Sequence, residues 1–116
     1  MKKKYIILSF VLAFTSLNAQ NKNTQKADKL FNQYEYVAAA TEYLKLADQG
    51  KADAYVNLQL ATTYYNVFDT ENAAKWYAIV VATPQDAETY YRYAQMLKAN
   101  GKYEQANKQM QEFASL

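Results

Sequence analysis

Chemistry in a protein chain depends on its reactive side chains, and this one lacks the commonest. It has no histidine and no cysteine, which removes the usual metal ligands and most general bases. No glycine-rich phosphate loop and no calcium-loop pattern occurs in it. Carboxylates and 12 tyrosines remain. Glu42 and Asp48 form an acid–base pair on paper, but carboxylates in this chain are scattered over helix caps and polar faces, so a solvated surface is the simpler reading. The tyrosines gather in TYYRYAQMLKANGKYEQAN, residues 89–107, where Tyr90, Tyr91, Arg92 and Tyr93 are consecutive. That run is either an aromatic binding patch or scaffold. No catalytic constellation emerges. The expectation is a protein that is not an enzyme, uses no cofactor or metal, and works through aromatic and amide contacts.

The elements that position these residues begin after a segment of different character. MKKKY is basic, Ile6 to Phe14 is a short apolar run, and TSLNA ends on small and polar residues. This is the layout of a secretory signal peptide over residues 1–19, with Gln20 opening the mature chain. The alternative, an uncleaved anchor, would need about 20 apolar residues. Without Lys2, Lys3 and Lys4, the 13 basic residues of the chain fall to 10, against 11 acidic ones. The apparent basicity therefore belongs to targeting and gives no support to nucleic-acid binding. The rest of the chain has no run of membrane-spanning length.

With two glycines and one proline in the whole chain, strand punctuation is scarce and an all-α fold is expected. Apolar residues recur at helical spacing: Leu58, Ala61 and Tyr65, then Tyr90, Tyr93, Ala94 and Leu97. The chain also repeats. Ala27, Ala61 and Ala94 fall into register, and twelve residues after each stands another alanine: Ala39, Ala73 and Ala106. Tyr43, Tyr77 and Met110 follow four residues later. Small residues at such places let two helices approach closely, while a large one fills the next gap. Gly50 and Gly101 stand just past helix ends, and Asp53, Asp69 and Asp86 just before helix starts. Six helices are predicted, near 21–33, 36–49, 54–67, 70–82, 87–100 and 103–115.

This period and pattern resemble the tetratricopeptide repeat, a helix–turn–helix unit of about 34 residues. The resemblance implies a right-handed solenoid of three repeats and six antiparallel helices, at 20–53, 54–86 and 87–116. The third unit carries it most clearly; in the first two the turn glycine is replaced by Tyr34 and Phe68. In that family the first helix of each unit lines a concave groove that takes peptides. The resemblance places Asp28, Phe31 and Asn32 of the first unit there. The second unit offers Tyr55, Gln59, Thr62, Tyr65 and Asn66. The third offers Tyr91, Arg92, Gln95 and Lys98. These positions are equally readable as ordinary amphipathic helix surface. Members that clamp a C-terminal carboxylate use Lys and Asn where this chain has Thr24 and Asp28, and an aspartate there repels a carboxylate.

Three segments, KADKLFNQYEYVAAATEYLKLADQG, NAAKWYAIV and ETYYRYAQMLKANGKYEQANKQMQEFASL, resemble the N-terminal repeat region of OmpA-family envelope proteins. Those proteins continue into a propeller and a peptidoglycan-binding domain, and some are linked to type IX secretion. The peptidoglycan-binding residues are not in this chain. The resemblance implies an exported interaction module of the periplasm or outer membrane, with a protein or peptide in the groove. Met110 and Phe113 on the last helix suggest a further contact at that end, with downstream domains or an envelope partner. The alternative is a structural spacer or folding module whose function lies in other domains.

Overall fold

A computed structural model describes residues 22–116; the expected export signal, residues 1–19, lies outside them. The described residues form six helices and no strand: α1 (Gln25–Asn32), α2 (Tyr36–Asp48), α3 (Ala54–Asn66), α4 (Thr70–Val80), α5 (Ala87–Ala99) and α6 (Tyr103–Ser115). Five of the six helices lie within two residues of their predicted bounds. The exception is α1, which starts at Gln25 rather than near residue 21. Thr24 precedes it with φ −99° and ψ 0°, and its hydroxyl donates to Asp28 at 2.7 Å.

Three helices open on an aspartate that accepts a backbone N–H of the first turn. Asp53 accepts from Val56 at 2.9 Å, Asp69 from Asn72 at 3.2 Å, and Asp86 from Thr89 at 3.0 Å. Each satisfies a donor that the helix itself leaves free. Thr24, Glu35 and Lys102, before α1, α2 and α6, make no such side-chain cap.

The helices pack as three hairpins, α1–α2, α3–α4 and α5–α6, with further packing of α2 on α3 and of α4 on α5. The turn of each hairpin has the same hydrogen bonds. Tyr34 N–H donates to Phe31 at 3.0 Å and Glu35 N–H to Leu30 at 2.9 Å. Phe68 N–H donates to Tyr65 at 3.0 Å and Asp69 N–H to Tyr64 at 2.9 Å. Gly101 N–H donates to Lys98 at 3.0 Å and Lys102 N–H to Leu97 at 2.8 Å. All three turns need a left-handed residue, and φ is 64° at Tyr34, 57° at Phe68 and 76° at Gly101. The missing glycines leave the loop geometry unchanged. They load about 1–2 kcal/mol of backbone strain onto each of two aromatic residues.

The six register alanines are all buried, and Ala39, Ala61 and Ala73 have no exposed surface. Two apolar clusters form around five of them, all but Ala94. One joins Ala27, Ala39, Tyr43, Val56 and Leu60. The other joins Ala61, Ala73, Tyr77, Val80, Tyr93, Met96, Leu97 and Ala106. Tyr64 and Trp76 pack against both clusters and join them into one core. Between the second and third hairpins the chain passes Pro84. Gln85 braces this link: its side-chain amide donates to Val80 O at 3.0 Å, and its backbone N–H donates to the Tyr90 hydroxyl at 3.2 Å. Tyr90 and Tyr93 are therefore mostly scaffold, with Tyr93 stacked on Tyr77 at 6.0 Å between ring centroids.

Candidate partner-binding face

The helices α1, α3 and α5 open the three hairpins, and their side chains meet in two clusters. In the first, Asp28 of α1 is the hub. Its carboxylate accepts from Thr24, from Tyr55 of α3 at 2.8 Å, and through a short hydrogen bond from Tyr43 of α2. Gln59 of α3 donates in turn to the Tyr43 hydroxyl at 3.0 Å. Burial, reinforced by the Asp28 carboxylate, pushes the Tyr43 hydroxyl pKa well above the usual tyrosine value. The same two causes push Tyr55 up to about 12. Both phenols therefore remain protonated donors, and Asp28 supplies the negative charge they point at.

The second cluster lies between α3 and α5. The Arg92 guanidinium sits over the Tyr65 ring at 4.7 Å and pairs with Glu88 at 2.5 Å. The Tyr65 hydroxyl donates to Gln95 at 3.2 Å. Beneath them the Tyr77 hydroxyl is buried and has no hydrogen-bond partner of good geometry. Burial raises its pKa, and the nearby Arg92 and Thr62 partly oppose this. Stacking over Tyr65 and pairing with Glu88 fix the guanidinium in place.

The structure thus brings together seven of the residues named from the sequence: Asp28, Tyr55 and Gln59 in one cluster, and Thr62, Tyr65, Arg92 and Gln95 in the other. The remaining five lie outside these two bonded clusters, although Asn32 and Lys98 border them. Phe31 packs on the first apolar cluster, its ring 5.4 Å from that of Tyr36. Tyr91 rests against Phe113 of α6 at 5.5 Å. Asn32, Asn66 and Lys98 are exposed. Asn32 borders a broad depression of about 980 Å³ with Asp28, Tyr55, Lys26 and Lys29. Lys98 borders a smaller cleft of about 410 Å³, whose other walls are Tyr65, Phe68, Gln95, Met96, Ala99 and Tyr103.

Sequence reasoning did not assign Tyr43, Phe68, Met96 or Tyr103 to this face. For Phe68 a signal was present, since it stands in register with Gly101. For Tyr43 there was none, because its hydroxyl reaches Asp28 from the second helix of the hairpin. Glu42 does not face Asp48. It lies between Lys45 at 3.0 Å and Lys26 at 3.4 Å, and the hydrogen bond from Lys45 holds its carboxyl below the usual range. Among the described residues no three His, Cys, Asp or Glu side chains converge as a metal site would require, and no helix is long and apolar enough to cross a membrane. A scan of protein-family models, a search of curated proteins and a search of solved structures each return no match.

Proposed function

We propose that this protein is an exported interaction module of the bacterial cell envelope, built as a three-unit tetratricopeptide-like solenoid. It holds a protein segment against the face formed by α1, α3 and α5. In this reading it is the repeat region of an OmpA-family, type IX secretion-associated protein. The observation that carries the proposal is the pre-ordering of that face. Tyr55 is held by Asp28, Gln59 by Tyr43, and Tyr65, Arg92 and Gln95 by one another, so little side-chain entropy remains to be lost when a partner docks. Aromatic bodies beside amides offer contact area and peptide hydrogen bonds together.

A second reading draws on the same contacts. Side chains that satisfy one another can simply stiffen the molecule, which would then be a spacer between other domains. Met110 and Phe113, exposed on α6, suit either reading as a contact for a downstream domain or an envelope partner.

Partner capture from the envelope fraction separates the two. Tyr55→Ala/Tyr65→Ala is expected to lose a partner that wild type and an Ile79→Ser control on α4 both retain. Equal recovery by a folded double variant removes the binding face and leaves the spacer. Recovery of the protein only from the cytoplasm, with residues 1–19 intact, removes export.

A further inference from the structure

Phe68 stands at a backbone angle that penalises it, yet its ring lies largely in solvent. Its φ is 57° and it is 69% exposed. The turn does not need the ring. At the matching place in the third hairpin Gly101 closes the same two hydrogen bonds at nearly the same lengths, and a Cβ there would meet nothing within 4 Å. A side chain kept at a strained position without a packing role points to a function. The Phe68 ring forms one wall of the cleft of about 410 Å³ between the second and third hairpins. This is the size of a pocket for a small ligand or a single side chain. Tyr65 and Tyr103 are two more aromatic residues on the lining and Met96 stands beside them, a lining suited to an aromatic ring. Lys98 is the only charged residue on the lining, and none of the ion pairs among the described residues involves it.

We infer that this cleft receives an aromatic side chain of a bound segment, with a carboxylate beside that ring pairing with Lys98. The inference deepens the proposed binding face and rests on it, since the cleft shares Tyr65, Gln95 and Lys98 with that face. It adds Phe68, Met96 and Tyr103, and it names the chemistry of the occupant: an aromatic ring adjacent to an acid.

The test needs no natural partner. N-acetyl-L-phenylalanine, its neutral amide and N-acetylglycine are titrated into the labelled protein and followed by the backbone amide signals. The expected result is saturable shifts at Phe68, Met96, Lys98, Ala99 and Tyr103, severalfold tighter for the acid than for the amide and absent for N-acetylglycine. Lys98→Gln is expected to bring the acid down to the affinity of the amide. Phe68→Gly is expected to abolish the shifts while raising the melting temperature, because it removes strain that the fold does not use. The inference is overturned by no saturable shift at the cleft, by equal binding of acid and amide, or by binding undiminished in Phe68→Gly. A drop in melting temperature for Phe68→Gly would also overturn it, by giving the ring a packing role. Loss of partner capture in Tyr55→Ala/Tyr65→Ala alongside unchanged capture in Phe68→Gly would leave the face standing and remove only the cleft.

Discussion

Tyr43 and Tyr77 occupy matching places in the first two hairpins, and both are essentially fully buried. Their hydroxyls meet opposite conditions. Tyr43 donates to a carboxylate and accepts from Gln59, whereas Tyr77 has no partner of good geometry. A hydrogen bond to a charged group contributes about 1.5–3 kcal/mol, and a buried unpaired hydroxyl costs about 1–3 kcal/mol. Tyr43→Phe is therefore expected to destabilise the protein by about 2 kcal/mol, and Tyr77→Phe to be neutral or to stabilise it by up to about 1 kcal/mol. Urea denaturation of the two variants checks this, and equal losses at both positions would contradict it. The repeat resemblance named Asp28 as a candidate contact. The identity of its partners was not legible, because Tyr43 and Tyr55 lie 15 and 27 residues away.

At the scale of the helix, local signals were read well because they act within one turn. The aspartate caps before α3, α4 and α5 sit where the sequence placed them, and each makes its expected bond. Asp86 also accepts from the Thr89 hydroxyl at 2.7 Å. The hydroxyl and amide of Thr89 together hold the Asp86 carboxyl below its ordinary range. A carboxyl lowered in the folded state stabilises the fold above its unfolded pKa, about 3.9, and that contribution is lost as pH falls through the folded value. Asp86→Ala is expected to cost about 1 kcal/mol at pH 7, with the difference from wild type shrinking below pH 4. A difference that stays constant down to pH 2 would show that the carboxylate charge plays no part. The start of α1 was not legible. Neither Asn23 nor Thr24 is a strong helix breaker, yet they form a turn between the helical Lys22 and Gln25.

Across the whole molecule, stability depends on tyrosine. Tyr43, Tyr55, Tyr64, Tyr77 and Tyr93 all have their pKa raised, chiefly by burial. Below about pH 10 these phenols are protonated in both folded and unfolded chains, and their contribution is fully present. Above it the unfolded chain ionises while the folded one resists, so stability is lost as pH rises. With no histidine or cysteine, little is expected to change between pH 7 and 9. The urea midpoint should then fall steadily from pH 10 to 11.5; a flat midpoint over that range would mean that the buried tyrosines ionise as freely as exposed ones. The helical class, the hairpin period and the alanine contacts were readable from residue order, because helical periodicity and small-residue spacing are local and recur. Which polar groups meet became visible only in the packed fold, since the rotation and offset of one helix on another set contacts near 3 Å and leave no mark on periodicity. The packed fold also showed that Phe68 keeps the left-handed geometry of a glycine turn and so turns an apparent lapse in the repeat into the wall of a cleft.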